Sequence, residues 1–182
     1  MHTLIVDGYN VIHAWPALKR VLDTHGLEDA RLQLIHALSE YAAHTGVEVT
    51  VVFDAHGRAE PADPADVIDG VTVLFGTTNA SADHVIERLA HRSSRNGRAA
   101  DVIVATGDRL ERSIVGAMGV GSIRPEELAA EVARVEGEVA RARTQREAGR
   151  SQRVEDHLSP ETRSKLDAIW TGRSREQAEE AG

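Results

Sequence analysis

The chain has no cysteine among its 182 residues, which excludes disulfides and thiolate metal sites and suits a reducing compartment. No apolar run approaches the ~20 residues of a membrane span. The opening run Thr3-Leu4-Ile5-Val6 ends at Asp7 and lacks the basic flank and length of a signal peptide. A soluble, cytoplasmic protein is therefore expected. Lys19 and Lys165 are the only lysines, so arginine supplies nearly all the positive charge. H-E-x-x-H, P-loop, G-x-G-x-x-G and G-x-S-x-G motifs are all missing, which removes support for zinc-peptidase, nucleotide-cofactor and serine-hydrolase chemistry. There is no internal repeat.

What is present is an apolar fraction of 41% and a formal net charge of −8. The apolar content suffices for a core without staples. The acidity argues against a passive nucleic-acid coat, which is usually basic, but it fits a site that gathers carboxylates around a divalent cation. Arginine suits bidentate phosphate contacts, although composition alone does not assign it that task.

Short Val/Ile-rich runs at residues 3–6, 47–53, 71–75, 101–106 and 120–123 read as strands. Most are continuously apolar, the mark of a parallel sheet covered on both faces. Residues 27–45, 82–96 and 109–118 read as helices, the first two stopped by Gly46 and Gly97, with Ser81 as a cap. The expected architecture is an α/β fold: a three-layer α/β/α sandwich with a mainly parallel sheet, plus a C-terminal helical tail. Residues 56–70 read as a polar loop. After Pro125 the apolar seam Leu128, Val132, Val135, Val139 and Ala142 predicts a long helix bearing Arg134, Arg141, Arg143, Arg146, Arg150 and Arg153. Ser159-Pro160-Glu161 starts a short helix through Trp170. The domain reading is a core over 1–124, a helical extension over 125–171 and a disordered tail over 172–182.

In a parallel sheet, ligands bind at the carboxyl ends of the strands. Asp7 follows the first strand, Asp54 the second and Asp108 the fourth, while Asp83 sits in the first turn of the helix after the third. All four project toward one edge, with Asn10 beside them. Carboxylates ~5 Å apart repel by about 3 kcal/mol per pair at an effective dielectric near 20. A hard cation such as Mg²⁺ or Mn²⁺ relieves that repulsion and activates water toward phosphodiesters. Plainer readings stand beside this one. Asp108 with Glu111 three residues on matches a helix capping box, Asp83 complements a helix dipole, and Asp54 suits a turn. Asp7 is hardest to explain that way. His56 is placed to contact substrate, with His13 and His84 near the same edge, although surface histidines are commoner. A receiver domain would need a lysine after a late strand, and neither lysine serves. A haloacid-dehalogenase-like phosphatase would need an acid where Tyr9 stands.

Several blocks resemble the YacP-like NYN domain family, a PIN-related nuclease family. They are Leu4-Ile5-Val6-Asp7-Gly8-Tyr9-Asn10-Val11-Ile12 with Ala14-Trp15-Pro16, then Leu27-Glu28-Asp29-Ala30-Arg31, and Val51-Val52-Phe53-Asp54-Ala55-His56. Ser81-Ala82-Asp83 with Ile86-Glu87, and Thr106-Gly107-Asp108-Arg109-Leu110-Glu111, complete the series. The resemblance implies a PIN-like fold and a metal-dependent endoribonuclease using Mg²⁺ or Mn²⁺ on RNA. It also implies mRNA as substrate and the ribosome as partner, as in a characterised branch. By motif position Asp7, Asp54, Asp83 and Asp108 would be catalytic and metal-binding. Asn10, Arg31, His56, Ser81, Thr106 and Arg109 would support them or meet substrate. The chain departs from the family pattern at Gly107, where serine is frequent, and at Ala80, where an acid is frequent. The alternative reading is an RNA- or ribosome-binding adaptor on a weakly active scaffold, recruited through the arginine-bearing tail.

Overall fold

A computed structural model describes residues 2–54, 66–77 and 80–157, with side chains to residue 145. His56, the side chains of the arginines at 146, 150 and 153, the helix expected from Ser159 to Trp170 and the tail 172–182 lie outside what is described.

The chain runs β1 (Thr3–Asp7), α1 (Gly8–Ala14), α2 (Pro16–His25), α3 (Leu27–Thr45), β2 (Glu48–Phe53), β3 (Asp66–Ile68) and β4 (Val71–Phe75). It continues through α4 (Ala82–Arg95), β5 (Val102–Ala105), α5 (Arg109–Ala117), β6 (Gly121–Ile123) and α6 (Pro125–His157). The strands form one sheet in the order β3-β4-β2-β1-β5-β6, and every pairing is parallel except β3 with β4.

Alternation along each strand sorts side chains to two faces. Leu4, Val6, Val49, Val51, Phe53, Val71 and Val73 join Val11, Ile12, Leu34, Leu38, Leu128 and Val132 from α1, α3 and α6. Ile5, Val52, Val102 and Val104 face Val85, Ile86, Ala90 and Val115 from α4 and α5. These two cores make the expected three-layer α/β/α sandwich. The first compact unit runs from Met1 to Gly137, so the opening turns of α6 belong to it. The Trp15 indole fixes them by donating to the Pro125 carbonyl at 2.8 Å in a buried contact. The second unit, Glu138–Gly182, begins within α6, which continues as helix to His157.

Two features correct the sequence reading. The polar loop expected over 56–70 contains the edge strand β3, joined to β4 by Asp69-Gly70, both at positive φ (49° and 81°). An Asp-Gly pair with that geometry is a strong hairpin turn. Residues 8–25, given no element from sequence, form α1 and α2, with Pro16 at the first position of α2 ending one helix and starting the next. Among the described residues no helix is long and apolar enough to cross a membrane.

The connection leaving β1 crosses one face through α1, α2 and α3 to β2. The one leaving β4 crosses the other face through α4 to β5, on the far side of β1. Crossovers that depart in opposite directions open a crevice at the carboxyl end of the central strand.

Candidate metal centre

Asp7, the last residue of β1, is also the N-cap of α1 and accepts from the Asn10 amide at 3.2 Å. Its other carboxylate oxygen accepts from the Thr106 hydroxyl at 3.4 Å. The residue is only 8% exposed, and burial raises its pKa to about 6. The Asn10 amide and Thr106 hydroxyl oppose the rise, and the charges of Asp83 and Asp108 add to it.

Asp83 enters from the first turn of α4, which Ser81 caps by accepting from the His84 amide. Glu111 enters from the first turn of α5 and is 3% exposed. Neither of its carboxylate oxygens has a hydrogen-bond partner among the described residues. Burial first, then the charges of Asp7, Asp83 and Asp108, lift its pKa to about 7, with the nearby Thr106 hydroxyl offsetting part of the rise. One oxygen from each of Asp7, Asp83 and Glu111 lies within 4.8 Å of the others, an arrangement that could hold a metal ion. Three hard oxygen donors, two of them buried and one orphaned, fit Mg²⁺ or Mn²⁺.

The other sequence-selected residues fall around this trio. Asp54 lines a cavity of about 530 Å³ together with Asp7, Tyr9, Asn10, Ser81 and Asp83. Asp108 caps α5 through the Leu110 and Glu111 amides at 2.6 and 3.3 Å, so the capping role weighed from sequence is present. Its charge also reaches Asp7 and Glu111. Thr106 is fully buried; its hydroxyl donates to Asp7 and accepts from the Asp108 amide at 3.1 Å. The Asn10 side-chain oxygen accepts from the Gly107 amide at 2.8 Å, tying the β1 and β5 loops together. A Cβ on Gly107 would crowd that Asn10 oxygen, so a side chain there would require Asn10 to shift. Gly8 is similarly constrained, since a Cβ there would strike the Phe53 ring.

Arg31 does something the sequence did not suggest. Its guanidinium stands over the rings of Tyr9, Phe53 and Phe75, with centroid distances of 5.1, 5.5 and 5.6 Å. Arg109 is exposed at the start of α5 and makes no ion pair among the described residues. It braces no acid there. Arg112 instead donates to the Thr106 carbonyl at 3.0 Å.

Glu111 is the residue that sequence reasoning passed over, because the capping box already accounted for it. A full capping box has the glutamate accept from the cap residue's own amide. Here the Asp108 amide goes to Thr106, which releases Glu111 to turn inward. The available signal was its helical spacing to buried Val115, which puts it on the inner face of α5.

The YacP-like NYN domain model matches residues 4–171. The uncharacterized protein YacP of Bacillus subtilis (strain 168) is 38% identical over 141 residues, covering 78% of this chain and 81% of that one. The crystal structure of Rae1 (YacP) from Bacillus subtilis superposes with a TM-score of 0.67 at 34% identity, over 95% of this chain and 97% of that chain. A tryptophan-to-leucine variant of the same protein gives 0.66 at 36% identity, over 93% and 99%.

Proposed function

This chain belongs to the YacP-like NYN domain family, and from that premise we propose that it is a divalent-metal-dependent endoribonuclease. The observation that carries the proposal is the convergence of Asp7, Asp83 and Glu111 within 4.8 Å, with Glu111 buried and unpartnered. Such a cluster opposes folding when empty. Its natural occupant is a cation.

In this reading Asp7, Asp83 and Glu111 hold Mg²⁺ or Mn²⁺ directly, and Asp54 and Asp108 hold it through water. The bound ion supplies a polarised phosphodiester and a water of lowered pKa. The chain's own groups prepare the place. Thr106 fixes the rotamer of Asp7 by donating to one oxygen, and Asn10 fixes the approach of the β5 loop. Asp7 and Glu111, both raised toward neutrality, give up their protons as the cation enters, so metal affinity climbs with pH across that range. Ser81 and Asn10 line the cavity that would admit the RNA backbone, and exposed Arg109 is free to meet a phosphate. Arg31 packs over the Tyr9 ring, which lines the cavity, together with Phe53 and Phe75. His56 remains a substrate contact on sequence grounds. The finer parts of the proposal, mRNA as substrate, the ribosome as partner and a cytoplasmic setting, are supported by the family resemblance and the lack of cysteine.

The test is cleavage of single-stranded RNA by the purified protein with Mn²⁺. Wild type should cut, and Asp7→Asn should lose cleavage by about a thousandfold or more while remaining folded, with no loss of metal-free stability. Full activity in Asp7→Asn overturns the reading.

A further inference from the structure

The exposed face of α4 carries His84, Arg88, His91, Arg92 and Arg95. At 100° per residue these five occupy a stripe roughly 100° wide. The opposite face buries Ala82, Val85, Ile86 and Ala90 in the core. Glu87, half-buried, lies roughly 80° round the helix from the stripe's centre. In a chain of net charge −8, one helix face is wholly basic.

The fold does not account for this stripe. Elsewhere arginines pair with acids three residues away: Arg98 with Asp101 at 4.0 Å, Arg124 with Glu127 at 3.1 Å and Arg134 with Glu131 at 2.7 Å. The positions three and four away from Arg88, Arg92 and Arg95 hold no acid. Among the described residues none of the three makes an ion pair. Like charges at helical spacing oppose the helix by a few tenths of a kcal/mol per pair. The helix dipole accounts for Arg92 and Arg95 in the last turn, but not for Arg88.

Position supplies the missing reason. The stripe begins at His84, the residue after metal-centre Asp83, and runs away from the cavity for about 16 Å at 1.5 Å per residue. We propose that this face of α4 is a phosphate track that binds the backbone of single-stranded RNA leading out of the metal centre. The choice of RNA as occupant rests on the nuclease reading and on charge complementarity. Arginine's planar fork meets each phosphate, and the track reads no sequence.

The probe is a fluorescein-labelled 16-nucleotide single-stranded RNA, titrated without divalent ions so that binding is read apart from hydrolysis. The triple variant Arg88→Ala/Arg92→Ala/Arg95→Ala should bind roughly tenfold more weakly, and its slope of log affinity against log salt should fall by about 2. The control Lys19→Ala/Arg20→Ala, on α2 in the opposite layer, should leave both values unchanged. With Mn²⁺ the triple variant should raise KM for the 16-mer at constant kcat and leave trinucleotide cleavage unaltered. Arg88→Glu alone, a single exposed change, should lower the slope by about 1 or more and serves if the triple variant is unstable. Unchanged affinity and slope in both α4 variants overturn the track, and so does an equal loss in the α2 control. RNA binding through α4 without any cleavage would sink the nuclease reading and leave the track standing.

Discussion

The two ends of the same sheet treat carboxylates in opposite ways. At the amino ends of the strands, Asp101 lies 3.9 Å from His2 and 4.0 Å from Arg98, and its side chain is 40% exposed. Exposed Glu48 accepts from the Thr3 hydroxyl at 3.5 Å. Those acids are wet and have cationic or polar company. At the carboxyl ends Asp7 and Glu111 are buried, and the charges that perturb them are those of other acids. The amino end shows what this chain does with an acid when only solubility is at stake. The carboxyl end departs from that pattern at a cost in stability, and a cost concentrated on one edge of a fold marks function.

The contrast breaks most sharply at Glu111. Glu111→Gln keeps the shape and removes the charge. Metal affinity, followed by Mn²⁺ thermal-shift titration, should fall by more than the roughly 10- to 100-fold typical of outer-shell changes, and RNA cleavage with it. The metal-free variant should melt higher than wild type, because a buried unpaired charge has gone. Asp101→Asn, at the other end, should change cleavage less than about twofold and stability by at most about 1 kcal/mol. Unaltered Mn²⁺ affinity in Glu111→Gln would erase the distinction between the ends.

The second effect is on pH. The folded pKa values of Asp7 and Glu111, about 6 and about 7, lie above the ordinary 3.8 and 4.5. The folded state therefore binds more protons than the unfolded one between pH 4 and 7, and stability falls as pH rises through that window. For the metal-free protein the loss should be roughly 3 kcal/mol, after discounting for coupling between the two groups and residual solvent screening. Urea midpoints at pH 4.5 and 8 measure it. Saturating Mn²⁺ should flatten the decline, because the cation holds both groups ionised. A metal-free protein equally stable at both pH values would show that the two ends do not differ in stored repulsion.

Much of this was legible in the sequence, and the gaps have physical causes. Continuous Val/Ile runs between capping and stopping residues located β1, β2, β4, β5 and β6 to within a residue or two. Burial on both faces leaves little room for other patterns. β3 escaped because it is three residues long and exposes Val67, at 64%. Its marker was Asp69-Gly70. Asp7, Asp54, Asp83 and Asp108 were visible because each sits at a strand end or helix start, where chain order alone predicts direction. The arrangement around Arg31 was not visible, since Tyr9, Phe53 and Phe75 come from three separate elements and only tertiary packing brings their rings together. Glu111 was hidden for a subtler reason. Local capping chemistry and a site role call for the same residue type at the same position, and the choice between them is made by Thr106, five residues upstream.

That ambiguity gives the smallest and most discriminating measurement. Asp108 caps α5 through two amides and also sits in the acidic field of the centre. Alanine removes both roles, whereas asparagine keeps an N-cap and removes only the charge. Asp108→Ala should destabilise the metal-free fold by about 1 kcal/mol, and Asp108→Asn by no more than about 0.5 kcal/mol. If Asp108 holds the cation through water, both variants should lose a similar factor in Mn²⁺-dependent cleavage, on the order of tenfold. Asp108→Asn with undiminished cleavage would remove Asp108 from the metal centre and leave it as a cap. The carboxyl-end cluster would then comprise Asp7, Asp83 and Glu111, with Asp54 at the rim of the cavity.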